Sequence, residues 1–232
     1  MMLGTLVNVG TVLLGTLVGC VFKKGIPQRL KSTLMQALGL CTLLIGAQGA
    51  IKTADMMCVI ISMVAGTLLG SAAGIERRLN SLGGKAEKLF SRGKASNEST
   101  FAKGFVTASL VFCVGAMAIV GSLDSGLKGD HTTLLAKSAL DGVAAIVFAS
   151  TLGPGVALSA LSLFIYQGAI TLLAGVFAPI LSAAAITEMS AVGGLLILGI
   201  GVNLLFQKEI KVGDMLPAIF MPLAYLAVTQ AL

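Results

Sequence analysis

The chain has 232 residues, of which 56% are apolar and 11% charged, and its mean hydropathy is +0.97. A soluble domain of this size exposes far more charge to water, so the composition indicates an integral membrane protein. The net charge of +6 comes from basic residues in short loops between apolar runs, which favours the positive-inside bias over nucleic-acid binding. Runs of about 20 apolar residues cross a bilayer as helices, so we predict an all-α membrane protein rather than a β-barrel.

Three apolar runs make up the first predicted segment, residues 1–75. Met1 to Phe22 carries no charge and is followed by basic residues, so we expect a retained helix that runs inward from an external N-terminus. Leu34 to Ile51 then returns outward, and Met56 to Ile75 comes back in. This segment therefore predicts three membrane helices.

The third run has a glycine at every fourth position, Gly66, Gly70 and Gly74. Small residues at this spacing form a smooth helix face on which another helix packs closely in a membrane. The strip predicts either packing within the subunit or contact with a second copy. We expect a homo-oligomer, since eight short helices make a thin protein.

A strongly polar stretch, residues 76–103, separates the first segment from a central helix pair in residues 104–155. We place the polar stretch in the cytoplasm because it is rich in lysine and arginine. Phe105 to Leu123 is predicted to run outward and Leu134 to Leu152 inward. Gly153-Pro154-Gly155 then ends the second helix of the pair.

Residues 156–232 contain the last three predicted spans. Val156 to Phe177 runs outward, about Glu188 to Phe206 runs inward, and Met215 to Leu232 ends outside. The total is about eight transmembrane helices with both termini outside. All but three of the sixteen basic residues fall on the predicted cytoplasmic side, the exceptions being Lys52, Lys128 and Lys137.

Two distant parts of the chain resemble each other, which predicts an inverted repeat of segment 1–75 in segment 156–232. The matching stretches are Leu13–Phe22 with Thr171–Phe177, Ile45–Gln48 with Ile200–Asn203, and Asp55–Met57 with Asp214–Leu216. The loop charges give the two copies opposite directions in the membrane. Inverted repeats recur in secondary transporters, whose substrates and ions bind near the midplane where helices are interrupted.

Asp141 is the leading candidate for a functional residue because it lies in the apolar run from Leu134 to Leu152. Lys137 stands four residues before it, on the same helix face and within reach. A charge in hydrocarbon costs at least about 2.5 kcal/mol, so such residues usually face a partner, water or a substrate. Asp141 is therefore either a proton or cation site or one half of a permanent ion pair. Lys137 is either its counter-ion or a headgroup anchor.

Four further polar residues in apolar runs are candidate ligands. Gln48 and Asn203 take matching places in the two repeat copies, where their amides either coordinate a solute or bridge helices. Glu188 is either a ligand or an acid stabilised by the helix dipole. Gln167, like Asn8 and Tyr166, is predicted to form interhelical hydrogen bonds and remains a candidate ligand.

Enzymatic chemistry finds little support in the sequence. There is one histidine, no His-Glu-x-x-His motif, no serine beside a general base and no phosphate-binding Gly-Lys-Ser/Thr sequence. The four cysteines lie singly in apolar runs and read as packing residues. We therefore predict no enzyme activity, no metal site and no cofactor.

Several motifs together carry a family resemblance. They are CVGAMAIVGSLDSGLKGDHTTLLAKSALDG from Cys113, FASTLGPGV from Phe148, YQGAI from Tyr166 and MSAVGGLLILGIGVNLL from Met189. The chain resembles the YqgA-like bacterial membrane family, a domain of unknown function, over nearly its whole length. The resemblance implies a multi-pass protein of the bacterial inner membrane and supplies no substrate. It places the family's LDG pattern on Leu140, Asp141 and Gly142.

The sequence thus predicts a small secondary transporter or ion-conducting protein whose ionisable centre is Asp141. Its expected partners are membrane lipids and a small solute or ion of unknown identity. The alternative is a structural or regulatory membrane subunit in which Asp141 and Lys137 form a fixed pair.

Overall fold

The computed structural model describes residues 2–23, 28–79, 81, 98–206 and 210–229. This part of the chain is helical and contains no strand. Most of the polar stretch 76–103 lies outside the described residues, as do Lys208 and Glu209 of the last predicted cytoplasmic loop. The prediction of an all-α protein is confirmed for the part described.

Ten α-helices and one 3₁₀ helix account for the elements named below. They are α1 (Leu3–Lys23), α2 (Gln28–Ala50), α3 (Met56–Ala73), α4 (Glu98–Cys113), α5 (Ala116–Leu127), α6 (Thr132–Leu152), α7 (Gly155–Leu172), α8 (Ala174–Phe177), α9 (Ala183–Phe206), the 3₁₀ helix Val212–Phe220 and α10 (Met221–Thr229).

Six helical segments of the described chain are long and apolar enough to cross a membrane. They are Leu3–Phe22, Met56–Ala73, Thr132–Leu152, Gly155–Leu172, Ala183–Phe206 and Val212–Thr229. A bent pair formed by α4 and α5 makes a seventh if it is one span, and the apolar helix Gln36–Ala50 is shorter. Membrane-length helices are thus present as predicted, while the count of eight stays a prediction.

One predicted span is broken. We expected a continuous helix from Phe105 to Leu123, but α4 ends at Cys113 and α5 starts at Ala116, with the two halves bent by 59°. Gly115 lies at the break with φ of 130°, a conformation that residues with a Cβ rarely adopt. The periodicity of apolar residues does not register such a break, because both halves remain apolar.

The chain forms two compact units. Unit 1 comprises residues 1–35, 78–113 and 117–175, and unit 2 comprises residues 36–77, 114–116 and 176–232. Each unit is assembled from segments that are distant in sequence. The division of the chain into the four consecutive segments predicted above stays a prediction.

In unit 1, α1 and α6 run side by side in the same direction. A Cβ on Gly4 would meet the Leu134 side chain, and one on Gly19 would meet the Ala149 Cβ at 2.8 Å. Between these points, Gly15 approaches the Gly142 carbonyl. Small residues therefore let the two backbones come together along most of their length, as is typical of membrane helix pairs.

The helix α7 runs opposite to α6 and parallel to α4. Near the start of α7, Gly155 contacts the Phe101 carbonyl, and farther along Ser109 donates a hydrogen bond to Ser162 or accepts one from it at 3.2 Å. The sharp reversal between α6 and α7 occurs at Gly153, whose φ is 85°. Since α1 is parallel to α6, α1 and α7 are antiparallel.

In unit 2, α2 and α9 are antiparallel and approach each other closely at glycines on both helices. A Cβ on Gly46 would lie 2.7 Å from the Gly194 carbonyl oxygen and 2.6 Å from the Leu198 nitrogen. Farther along, Gly39 faces the Gly201 carbonyl at 3.3 Å, and a Cβ on Gly201 would lie 2.9 Å from the Leu43 nitrogen. Backbone atoms are among the nearest neighbours at each of these glycines, so neither helix has room for a larger residue there.

The glycine strip on α3 packs inside the chain. Gly66 lies against Ala218 and Gly70 against the Asp214 carbonyl, both in the 3₁₀ helix. Gly74 has φ of 62° and ends α3 as a left-handed cap. Because the strip is already occupied, the predicted homo-oligomer does not rest on it and stays a prediction.

Large apolar side chains are exposed on the membrane-length helices. On α1, for example, Leu14, Leu17 and Val21 are 64%, 65% and 73% exposed. A helix that exposes several large apolar side chains promotes aggregation when the protein is in water. The same helix is stable when lipid chains surround it. The exposed apolar faces therefore agree with a protein whose solvent is the bilayer.

The α2–α9 crossing generates a stability prediction. Replacing Gly46 by alanine forces its new methyl group against backbone atoms of α9, and we expect a loss of about 1–3 kcal/mol from overpacking. Gly10→Ala is the matched control, since nothing lies within 4 Å of its added Cβ. Thermal unfolding in detergent, followed by circular dichroism, should show a lower midpoint for Gly46→Ala alone. Equal midpoints for the two variants would contradict the close crossing.

Candidate functional site

Asp141 and Lys137 form an ion pair inside unit 1. They lie one turn apart on α6, and the Lys137 ammonium donates to Asp141 Oδ2. Only 6% of Asp141 and 5% of Lys137 is exposed, so the pair is nearly enclosed by protein. The contact expected from their spacing is present, and the lysine points into the protein rather than anchoring at an exposed edge.

Asn8 connects α1 to this pair. Its amide Nδ2 donates to Asp141 Oδ2 at 2.9 Å, and the residue is fully buried. Asn8 precedes Gly15 by seven residues, which places both on one face of α1, and Gly15 rests on Gly142 next to Asp141. The small residues at this crossing therefore bring the amide within reach of the carboxylate.

Gln167 on α7 completes a set of four residues that we call the polar cluster, together with Asn8, Lys137 and Asp141. The Gln167 Oε1 lies 3.5 Å from Asn8 Nδ2, which is the limit of a hydrogen bond, and Gln167 is fully buried. Its Nε2 has no hydrogen-bond partner in the described protein, and neither does Oδ1 of Asn8. One acceptor and one donor of the cluster are thus unused.

The unpartnered buried side-chain atoms of the described chain all lie in unit 1. They are Thr5 Oγ1, Asn8 Oδ1, Ser122 Oγ, Gln167 Nε2 and Thr171 Oγ1. Buried polar groups in folded proteins are nearly always hydrogen-bonded, and each one left alone costs about 1–3 kcal/mol. These atoms lie on α1, α5 and α7 and leave hydrogen-bonding capacity unused inside unit 1.

Three of these residues, which we call the hydroxyl row, extend from the polar cluster toward one end of unit 1. Thr5 precedes Asn8 by three residues and Thr171 follows Gln167 by four, so each lies one turn from its amide on the same helix face. Because α1 and α7 are antiparallel, both steps lead to the same end. Ser122 is the member of the row on α5. Gly126 lies one turn after Ser122 and packs on the Thr171 carbonyl, which places Ser122 near Thr171.

The end of α4 lies near the cluster. Cys113 is the last residue of α4, and its thiol is within electrostatic range of both Lys137 and Asp141. Interrupted helices in membrane proteins leave backbone groups that neighbouring residues or bound ions satisfy. The ion pair is therefore close to the last residue of α4, where this helix ends.

Glu188 is buried in unit 2, where it holds the start of α3. Its carboxylate accepts hydrogen bonds from the Thr53 hydroxyl at 2.5 Å and from the backbone N–H of Ala54 at 2.8 Å and of Asp55 at 3.2 Å. The Glu188 carboxylate therefore lies at the positive end of the α3 dipole. The sequence had suggested that Glu188 begins its own helix, but that helix, α9, begins at Ala183. Glu188 is engaged entirely with backbone and hydroxyl donors.

The two amides that the repeat alignment equates have different environments. Gln48 is exposed on α2. Asn203 is half-buried on α9 and holds the following loop by bonding both the N–H and the carbonyl of Ile210, each at 2.8 Å. Both belong to unit 2, whereas Asp141 belongs to unit 1. The polar cluster therefore includes three of the predicted site residues, Lys137, Asp141 and Gln167.

Sequence reasoning gave too little weight to Asn8. We expected it to bridge helices, and it does, but its partner is the leading functional candidate. The sequence contained a signal for this role, because Asn8 is the most polar residue of a span that carries no charge and it shares a helix face with Gly15. Thr5 and Thr171 could not be singled out in this way, since threonines in membrane helices usually bond to their own backbone.

A second Lys–Asp pair, at the end of α5 and with an exposed lysine, provides a contrast. Lys128 donates to Asp124 at 2.8 Å, and this hydrogen bond raises the pKa of Lys128. Two residues later, the backbone N–H and hydroxyl of Thr132 lower the pKa of Asp130. Exposed pairs of this kind contribute little to stability, so the turn serves as a control for the buried pair.

The described residues contain no group of three His, Cys, Asp or Glu side chains that could hold a metal ion. What the polar cluster offers instead is one carboxylate, one ammonium and two amides in an enclosed apolar setting. Such a set can accept a proton at Asp141 and can form hydrogen bonds with a small molecule at the amides.

Comparison with known proteins identifies the family. Residues 3–227 match the model described as "Protein of unknown function (DUF554)". The chain belongs to this family. It is 36% identical over 234 residues to "Uncharacterized membrane protein YdfK" of Bacillus subtilis (strain 168), covering 99% of this chain and 98% of that protein. It is 33% identical over 228 residues to "Uncharacterized protein YqgA" of Escherichia coli (strain K12), covering 97% of each.

These matches confirm the resemblance to the YqgA-like family. No solved structure matches the chain. The family is uncharacterised, so a function for this member has to be argued from the site itself.

The buried pair generates a prediction about stability. Lys137→Met should cost about 3–5 kcal/mol, because it leaves the buried carboxylate without its counter-ion. The double variant Lys137→Met with Asp141→Leu should recover part of this loss, because no charge is then left buried, although Asn8 Nδ2 loses its acceptor. Thermal unfolding midpoints in detergent measure both effects. The matched change Lys128→Met, in the exposed pair, should leave the midpoint nearly unchanged; an equal loss there would contradict the difference in burial.

Glu188→Ala should lower the unfolding midpoint as well, because the N–H groups of Ala54 and Asp55 lose their acceptor. Each unsatisfied N–H group costs about 1–3 kcal/mol of stability. The neighbouring Thr187→Ala removes only an exposed hydroxyl bonded to its own helix and should have no such effect. Equal unfolding midpoints for the two alanine variants would show that Glu188 does not anchor α3.

Proposed function

We propose that the protein is a small secondary transporter or ion-conducting protein of the bacterial inner membrane, with Asp141 as its ionisable centre. The observation that carries the proposal is the enclosed Asp141–Lys137 pair beside buried polar atoms that have no partner within the described chain. Ionisable residues among membrane helices are costly, and they usually mark the path of a proton, ion or substrate.

The unpartnered atoms favour transport over a purely structural pair. A purely structural polar cluster needs satisfied hydrogen-bonding groups, because each unpaired buried group weakens the packing around it. Here the amides of Asn8 and Gln167 each retain an unused atom next to the pair. This arrangement suits a site that alternates between empty and occupied.

The broken helix supports the same proposal. Transporters often bind substrates where a membrane helix is interrupted, and Cys113 at the α4 break is in electrostatic range of the pair. A bend of 59° at a glycine also gives a local point about which two helix halves can move.

An inverted repeat forms part of the proposal. The match of Ile45–Gln48 with Ile200–Asn203 pairs Gly46 with Gly201, and the same spacing extended toward the N-terminus pairs Gly39 with Gly194 and Leu43 with Leu198. The α2–α9 contacts support it, because Gly46 meets Gly194 and Leu198 just as Gly201 meets Gly39 and Leu43. Each contact maps onto the other when the two copies are exchanged, as a pseudo-two-fold axis requires.

The proposed topology has eight spans with both termini outside. It is supported by the helix directions within unit 1, where α1 and α6 run one way and α4 and α7 run the other, as the loop charges predicted. A homo-oligomer and a surrounding shell of membrane lipids belong to the same proposal.

Proton flux into reconstituted vesicles tests this function. Vesicles that contain a pH-sensitive dye should acidify under an imposed pH gradient and membrane potential, and Asp141→Asn should reduce the rate to that of protein-free vesicles. Asp124→Asn, in the exposed pair, should retain wild-type flux.

Folding is checked on the same samples by circular dichroism. The double variant Lys137→Met with Asp141→Leu removes the titratable pair without leaving a lone charge, so it separates loss of function from loss of structure. Wild-type flux in a folded variant that lacks the carboxylate would remove Asp141 from the mechanism.

A further inference from the structure

The geometry points to an uncharged solute with a hydrogen-bond donor and acceptor side by side, such as a small amide, as the substrate of the polar cluster. This inference rests on the proposed function and adds the chemical class of the substrate. It also assigns the contacts: Asn8 Oδ1 accepts from the solute, and Gln167 Nε2 donates to it.

Charge balance excludes an ion as the preferred ligand. Lys137 and Asp141 are the charged members of the polar cluster, and they neutralise each other through a direct hydrogen bond. A cation would have to compete with the lysine for the carboxylate, and an anion would have to compete with the carboxylate for the lysine. An uncharged ligand leaves the pair intact and avoids the cost of a further charge in an enclosed site.

The unused hydrogen-bonding capacity fits such a ligand. Asn8 and Gln167 are fully buried, and Asn8 Nδ2 lies 3.5 Å from Gln167 Oε1. The acceptor Asn8 Oδ1 and the donor Gln167 Nε2 nevertheless have no partner in the described protein. A carboxamide or urea group carries the complementary donor and acceptor. The site therefore gains two hydrogen bonds when such a molecule binds and leaves two buried groups unsatisfied when it is absent.

The hydroxyl row provides further contacts in the direction of one end of unit 1. Thr5 and Thr171 are fully buried, and their hydroxyl oxygens have no partner in the described protein. A hydroxyl both donates and accepts, so a row of hydroxyls suits an uncharged solute in any orientation. A path for a metal ion would instead favour carboxylate and carbonyl oxygens.

The experiment measures uptake of labelled urea, glycine and rubidium ion into vesicles that contain the full-length protein, with an inward pH gradient. Urea represents uncharged amides, glycine represents zwitterions and rubidium represents monovalent cations. We expect urea uptake above that of protein-free vesicles, and little protein-dependent uptake of the other two.

Gln167→Leu removes the free donor and should reduce urea uptake about tenfold, as the loss of hydrogen bonds to a bound solute predicts. The matched control is Gln36→Leu, the same change at an exposed position of α2, which should keep wild-type uptake. If Gln167→Leu does not fold by circular dichroism, Gln167→Met removes the same donor, keeps a side chain of similar length and leaves the Asn8–Asp141 bond in place.

The outcomes separate the two proposals. Asp141-dependent proton flux without urea uptake would overturn the uncharged substrate and leave the proposed function standing. Rubidium or glycine uptake that depends on Gln167 would also overturn it, in favour of an ion or a zwitterion. Absence of every flux would overturn both proposals.

Discussion

The close approach of α1 and α6 at small residues is the constraint on which the candidate site depends. Asp141 is tolerable in an apolar unit because Lys137 neutralises it and Asn8 bonds to it, and Asn8 reaches it only because Gly15 lies directly on the Gly142 backbone. A larger side chain at this crossing would separate the helices and leave the ion pair with one partner fewer. Packing and electrostatics are therefore not independent here.

The two compact units use their polar residues differently. In unit 2 the buried acids are engaged with backbone: Glu188 holds the start of α3, and Asp214 accepts from the Glu76 N–H at 2.8 Å while Glu76 accepts from the Gly213 N–H at 2.7 Å. In unit 1 the buried groups are only partly satisfied. A satisfied network stabilises one arrangement, whereas a partly satisfied one leaves room for a ligand. This contrast locates the proposed transport chemistry in unit 1.

The proposed substrate class follows from this partial satisfaction rather than from the ion pair alone. An enclosed pair of opposite charges has little remaining attraction for an ion, whereas Asn8 Oδ1 and Gln167 Nε2 still lack hydrogen-bond partners. In this proposal, Asp141 serves proton coupling while the amides of Asn8 and Gln167 hold the solute. Two tasks are thus distributed over adjacent residues from α1, α6 and α7.

The sequence by itself determined the membrane character, the helical class, the family and the spacing that joins Lys137 to Asp141, because composition and helix periodicity are local properties. It also indicated which glycines permit close packing. Only the tertiary structure decided that Asn8 bonds to Asp141 and that Glu188 serves a neighbouring helix. It likewise showed that the Gly66–Gly70 strip packs within the chain and that the helix expected from Phe105 to Leu123 breaks at Gly115. These outcomes depend on which helix faces meet across large sequence separations, and in a uniformly apolar chain many helices offer similar faces.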